Sequence, residues 1–498
     1  MPDKVEKVEA VDVITVSKRI PYNLLKEEIE GTSSDILTEL REISEYYKIY
    51  RKGSKFQPEG TAGDYVASMV NFRKAAQLIN KEARFLFGET PDIVIEPVGS
   101  IDAISEESKQ SITIHQELVD SVLYKNKFSK FLIQAAKDCF IGKRIACIAN
   151  FSDDTGITIT FLDAFSFIYE HDPNEPNKLV KLVTFTILND SSSLKEKRIM
   201  KKKYVLEDDG YVYAEDVIYD GRGKELENPF PYQKTELKNI PGFVVLNDGL
   251  LSDEKGESEI NQLKYLESAF SKLSNADIDA ERKGMNQIKY TIDMDESSTA
   301  NLSTSPGSYW DLQRNANLEN ASPSVGTLQS SMEYSGALDT TLKRLKREMF
   351  DSLEIPDIDL ETMSGVVTSG KALKAIYWPL IVRCKEKMKE WGPQLQYLID
   401  CIIEGAIAYP KIAKMYVDQD MIPTNYKVKV SQNFPLPEDE QEEKNIDLSE
   451  VTAQTMSRKA YMKKWRDLTD KEADAELEQI ALERQMLEES YQQDPFAM

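Results

Sequence analysis

The residues best able to do chemistry fall in a few short runs. Gly365-Val366-Val367-Thr368-Ser369-Gly370-Lys371-Ala372 comes one residue short of the phosphate-binding loop G-x-x-x-x-G-K-[ST], whose backbone N–H groups and lysine cradle a polyphosphate. Ala372 offers no hydroxyl to magnesium, no buried strand is predicted before Gly365, and the acidic segment ahead of it would repel a triphosphate. The only Walker-B-like run, Phe243 to Asp248, lies upstream of this loop. Asp154-Thr155-Gly156 matches the tripeptide of aspartic proteases, but Asp and Gly are also the expected residues of a turn between two alternating strands. The turn is the better reading. Asp293 and Asp295 read as an exposed turn before metal ligands, and the basic run KEKRIMKKKY near residue 200 as a solvated strand edge before a phosphate contact.

Cys139, Cys147, Cys384 and Cys401 lack ligand-like spacing, and His115 and His171 are the only histidines. Convergent zinc ligands or a nucleophilic triad cannot be assembled from these. No catalytic residue, metal or cofactor is expected. The net charge of −23 argues against a protein that grips nucleic acid through a basic surface, while an acidic wall would let a duplex slide. The N-terminus resembles no signal peptide, and no apolar run approaches a membrane span. A soluble chain made in a reducing cytoplasm, without membrane contact, is expected, and its 498 residues suggest about three domains.

The elements that position these residues are segregated, which predicts an α+β chain. Helical spacing marks residues 33–51, then 64–87 with a stripe of Met69, Phe72, Ala76, Ile79, Ala83 and Leu86, then 128–140. A short strand, PDIVIEPV, stands between the last two. From Arg144 the period becomes two, giving a β-rich block to about Val245. Two long helices follow, at 257–283 (Ile260, Leu263, Leu266, Phe270, Leu273, Ala276 on one face) and 329–353 (Met332, Leu338, Leu342, Leu345, Met349). Between them lies a Ser/Asn/Gly/Pro-rich insert with one strand candidate, Gln287 to Met294: a stalk with a tip. Pro356 ends the second helix; a further helix from Lys371 should bend or break at Pro379 and at Gly392-Pro393. After a strand (NYKVKVSQNF), an acidic linker leads to two short helices, the last with a capping box of Thr469 and Glu472.

The segment Leu353 to Leu380 carries Pro356-Asp357, Ser364-Gly365, Ser369-Gly370 and Ala372-Leu373-Lys374 in that order. With NFRKAAQLINKEARFLFGETPDI, the run IPGFVVLNDGLLSDEKGESEI into the first long helix, and SRKAYMKKWRDLTDKEADAELEQIALER near the C-terminus, it resembles the siphophage-type portal proteins of tailed bacteriophages. The likeness covers about residues 32 to 485.

The resemblance implies a phage portal fold: an N-terminal tail (1–31), a wing (32–255, β-rich over 144–246), stem helices (256–283 and 327–354) flanking a clip (284–326), a tunnel loop (355–369), a post-loop helix and wing strand (370–436), and an acidic linker with a helical crown (437–498). It implies a structural subunit, not an enzyme, in a homo-oligomeric ring, expected to be a dodecamer, at one capsid vertex. Double-stranded DNA would pass through the ring without sequence preference. The implied partners are the large terminase subunit, the major capsid protein, the scaffolding protein and the head-completion (adaptor) protein. The place implied is the virion, with assembly in the host cytoplasm. The tunnel-loop candidates are Pro356, Asp357, Asp359, Glu361, Met363, Gly365, Val366, Val367, Thr368 and Gly370. Lys343, Arg344 and Arg347 are stem candidates for the channel or a neighbour's acidic helix, with Asp277 and Glu281 as partners; Tyr309 and Trp310 are clip contacts. The alternative is a P-loop-like ATPase of the packaging motor.

Overall fold

The computed structural model describes residues 20–29, 33–54, 67–98, 106–175, 178–249, 255–285, 288–299, 310, 312–318, 322–328, 334–358, 370–435, 440–466, 468 and 470–493. Helices and strands are mixed and segregated, as an α+β chain requires. The chain divides into two compact units, one of residues 1–357 with 379–434, the other of 358–378 with 435–498.

In the larger unit the elements up to residue 246 are α1 (Tyr22–Glu27), α2 (Ser33–Lys52), α3 (Lys74–Phe87), β1 (Asp92–Pro97), α4 (Glu106–Lys125), α5 (Phe128–Gly142), and strands β2 (Arg144–Ser152), β3 (Gly156–Asp163), β4 (Phe167–His171), β5 (Leu179–Asn189), β6 (Arg198–Leu206), β7 (Val212–Asp220), β8 (Glu225–Lys234) and β9 (Gly242–Leu246). The alternation of apolar residues from Arg144 onward yields two antiparallel sheets, ordered β3-β2-β9 and β4-β5-β6-β7-β8. The β2–β3 hairpin closes with Ser152 opposite Gly156, and Gly156 takes the left-handed conformation (φ 78°) that favours glycine. Asp154 and Thr155 are thus turn residues. β8 is an outer strand, exposed along almost its whole length and broken in pairing, with Pro229 and Pro231 inside it.

Leu182, Tyr204, Val212 and Ala214 on one face of the five-stranded sheet pack against Ala146, Ile148 and Val244 of the smaller sheet. Val183, Phe185, Ile199, Val217 and Tyr219 on the other face are covered by Ile20, Leu24, Leu25 and Leu40. The expected tail of 1–31 therefore contains a docked helix. The basic run near residue 200 is corrected too. It forms the central strand β6, and Lys201 and Lys203 reach the buried Glu28 carboxylate at 2.5 and 3.3 Å, joined by Lys181 at 3.6 Å. Burial opposes the charge on Glu28, but the Lys201 hydrogen bond and the three ammonium groups outweigh it and hold the carboxyl below its ordinary range.

The long helices are α6 (Glu259–Met285) and α8 (Ser335–Ser352), which pack together; at 1.5 Å per residue they span about 40 and 27 Å. Between them lie β10 (Ile288–Ile292), the one-turn α7 (Glu296–Thr299) and β11 (Ser324–Leu328). After α9 (Gly370–Ile376), α10 (Trp378–Ala408) runs unbroken, followed by α11 (Pro410–Ala413) and β12 (Tyr426–Ser431), which pairs with β1. The expected break at Gly392-Pro393 does not occur. Trp391, Leu395, Leu398 and Ile399 around it are buried, and that burial outweighs the one helical hydrogen bond Pro393 forfeits. Pro379 lies in the first turn, where its missing N–H has no helical partner to lose.

Three other expectations are corrected. The helix predicted from residue 64 starts at Lys74, and residues 67–73 are not helical. α4 was hidden by its Ser/Thr/Ile/His alternation; Ile112, His115, Leu118, Val119 and Val122 form its buried face. The acidic linker is mostly helix: α12 (Glu440–Thr452) precedes α13 (Arg458–Arg466) and α14 (Asp470–Gln493) in the smaller unit. Asp447 of α12 accepts Trp465 Nε1 at 2.7 Å and pairs with Lys464 at 2.8 Å, which ties the acidic segment to α13. Thr469 of the expected capping box lies outside the described residues.

The buried face of α6 also departs from the apolar stripe. Ile260 and Leu263 are buried and Leu266, Phe270 and Leu273 half-buried, but Ala276 is exposed. Instead Glu259, Glu267, Ser271 and Asn275 are buried, and with Asp279 they recur at multiples of four. Glu267 Oε2 accepts Ala75 N–H at 2.8 Å and caps α3; Asn275 accepts Val70 N–H (2.6 Å) and donates to Val70 C=O (2.9 Å); Asp279 accepts Ser68 N–H at 2.9 Å. Extended backbone that a helix would have satisfied internally is satisfied by these side chains. Asn275→Ala should therefore cost about 1 kcal/mol, since it removes both Val70 bonds where water can take up part of the lost pairing. Urea unfolding checks this: a loss no greater than that of an exposed Asn→Ala control would refute it.

Candidate functional site

Of the residues singled out for function, those described lie along α8, directly after it, at the start of α9, or between α6 and α8. α8 ends without glycine. Glu354 adopts the left-handed conformation (φ 54°), its N–H donates to Asp351 C=O (3.1 Å), and Ile355 N–H donates back to Phe350 C=O (3.0 Å). This is a Schellman closure, with the apolar pair it needs, Phe350 and Ile355, both buried, and Pro356 directly after it. Asp357 then pairs with Lys346 of α8 at 2.9 Å. The first residues after the helix are thereby fixed to it, and the Asp357 charge is compensated.

Of the other loop candidates, Asp359, Glu361, Met363, Gly365, Val366, Val367 and Thr368 lie outside the described residues; Gly370 opens α9. Lys343, Arg344 and Arg347 are exposed along α8, opposite the half-buried Leu338, Leu342 and Leu345. Lys343 pairs with Asp339 at 2.6 Å and Arg347 with Asp351 at 3.4 Å, both on their own helix. Between the long helices, β10 pairs within the chain, antiparallel to β11, and Tyr290 lies across Gly326, where a side chain would collide with its ring. Tyr290, Ile292 and Val325 are exposed there; Trp310 is half-buried and Tyr309 lies outside the described residues.

At the other end of α6, residues from four elements meet in a buried ionic cluster that sequence reasoning missed. Arg383 of α10 donates Nε to Glu82 Oε1 of α3 (2.8 Å) and Nη2 to Glu259 Oε1 of α6 (3.1 Å). Lys387, one turn on, reaches Glu259 Oε1 (2.7 Å), Asn247 Oδ1 (2.8 Å) and Asp248 Oδ2 (3.2 Å), with its ammonium over the Phe140 ring. Glu82, Glu259 and Lys387 are all buried. Asp248, which looked Walker-B-like, is thus held by two cations of its own chain. The connection into α6 is tight: Asn247 and Glu257 exchange hydrogen bonds, Ser258 Oγ donates to Ile141 C=O, and Gly256 (φ 72°) leaves no room for a side chain beside Lys143 C=O. The i,i+4 pair Arg383/Lys387 on an otherwise apolar helix face was the available signal.

Among the described residues, no three His, Cys, Asp or Glu side chains are grouped to hold a metal ion. All four cysteines are buried, and burial pushes their thiols upward. His115 is buried, with Nε2 on Ile422 C=O at 3.2 Å, and burial lowers its pKa. What the geometry offers is a clamped two-helix pair, an in-chain hairpin between the helices, and a loop launched from a fixed helix end. The Glu354 closure yields a direct expectation: Glu354→Gly should raise stability by several tenths to about 1 kcal/mol, since glycine adopts this conformation without cost, and Glu354→Val should lower it. Thermal unfolding of the two variants checks the order; equal midpoints would contradict it.

A family model described as phage portal protein, SPP1 Gp6-like, matches residues 26–490. No curated protein matches the chain.

Proposed function

The chain belongs to the phage portal protein family, and from that membership we propose that it is the ring subunit through which double-stranded DNA is packaged and ejected. The family is structural, so the chain is a head–tail connector component and not an enzyme. It implies an oligomeric ring at a capsid vertex, with capsid and terminase partners. In the reading proposed here the ring is a dodecamer, α6 and α8 are the stem, residues 284–326 the clip that docks the terminase motor and later the head-completion protein, and residues 355–369 the tunnel loop.

The observation that carries this reading is the family match over nearly the whole chain, joined to the two packed long helices with a small hairpin between them. A stem and clip need that arrangement. The loop assignment is supported by the fixed launch point at Glu354–Asp357 and by glycines at Gly365 and Gly370, which allow hinge conformations. Asp359 and Glu361 would keep phosphate at a distance, while Met363, Val366 and Val367 would offer contacts indifferent to base sequence. A closed ring joins copies through two different surfaces. The basic face of Lys343, Arg344 and Arg347 suits one of these, its pairs within α8 being exposed and therefore weak enough to exchange.

Electron microscopy of the purified protein should show rings with a central hole; monomers that hydrolyse ATP would overturn the reading. Within such rings, replacing Gly365 and Gly370 by valine should impair DNA packaging while leaving assembly intact. A loop pointing to outside solvent in a ring reconstruction would remove the tunnel assignment. Deleting 284–326 should abolish packaging with the remaining body still folded, and normal packaging by that variant would refute the clip.

A further inference from the structure

We propose that the buried cluster at the root of α6 is a proton-binding site: Glu259 holds a proton facing Glu82, and losing it loosens the joint between α6 and α10. The inference rests on this chain's own contacts and not on the ring reading.

Charge balance comes first. Three carboxylates (Glu82, Asp248, Glu259) meet two cations (Arg383, Lys387), and Glu82 and Glu259 are 0% and 1% exposed. Asp248 is 37% exposed and open to solvent, so in the interior Glu82 and Glu259 face Arg383 and Lys387 two against two. Oxygen-by-oxygen accounting shows what the buried groups lack. Both cations bind the Oε1 atoms, whereas Glu82 Oε2 and Glu259 Oε2 are buried with no donor to accept from. Arg383 and Lys387 each bind both carboxyls, which sets the two side by side, and a pair of carboxylates has no donor to share without a proton. One proton supplies the missing donor. Among the described groups facing the cluster, Asn247 presents its amide oxygen to Lys387, Phe140 its ring, and Cys139 Sγ donates to Val245 C=O. Burial, then the Glu82 charge, raise Glu259 to about 8, against the pull of Lys387 and Arg383.

The sign follows. A carboxyl whose folded pKa exceeds its unfolded value contributes stability in full below about 4.5, and loses it as pH rises through about 8. Glu259→Gln supplies a permanent N–H donor and removes the titration; Glu82→Gln supplies a donor and removes the charge that faces Glu259. The experiment measures urea unfolding of the full chain between about pH 5 and pH 9. Relative to either Gln variant, the wild-type unfolding constant should climb with pH, approaching tenfold per unit, and level off above about pH 8. Glu267, buried and also raised, is common to all three proteins and cancels in the comparison. Parallel wild-type and variant profiles would overturn the proposal. If neither variant folds, infrared spectroscopy of the assembled protein decides. A protonated-carboxyl stretch at about pH 7 that persists in Glu267→Gln supports the site, and its absence refutes it.

Discussion

The fold depends on α6 doing two incompatible-looking things: spanning about 40 Å as a helix and satisfying the backbone of a segment that is not helical. Ser68 and Ala75 carry polar groups into the interior, where unpaired they would each cost on the order of 1–3 kcal/mol, and the exposed Val70 lies between them. Asp279, Asn275 and Glu267 meet them in reverse chain order, so the segment runs antiparallel to the helix. Each step of four residues turns the row about 40° around the helix, and the segment follows that winding. The start of α3, the direction of α6 and the root cluster are then fixed together.

Charge is used in the same way elsewhere. Glu28 fastens α1 to a sheet face through three lysines, and Glu39 of α2 is held by Arg144 at the start of β2 at 2.5 Å. Buried pairs are poor sources of net stability, because desolvating both ions offsets most of their attraction. Removing one partner is costly all the same. Their effect is to penalise alternative placements, which suits a chain whose outer helices must keep one register on a sheet.

Much of this was legible in the sequence wherever a period repeated. The β-rich block, its first hairpin at Asp154–Gly156 and the two long helices follow from alternation and helical spacing. What failed did so for identifiable reasons. Residues 67–73 carry an apolar spacing that fits a helix, but Asn275 and Asp279, far along the chain, offer extended backbone better partners. The lysines of β6 look like a solvent edge until Glu28 arrives from the N-terminus. Pro393 announces a break that surrounding burial overrides. The ionic cluster draws on four stretches between Glu82 and Lys387, and no local pattern joins them. Of the loop candidates, only the helix end that launches them was readable locally, in Pro356.

The outer strand β8 has a consequence for life among identical copies. Strand edges with free N–H and C=O groups invite pairing with any neighbouring edge, and a closed assembly brings many edges into close quarters. Pro229 and Pro231 cannot donate to such a ladder, and the irregular pairing with β7 twists what remains. Sheets of adjacent copies are thus barred from fusing along this edge. Growth by strand addition, which has no natural stopping point, is disfavoured along this edge.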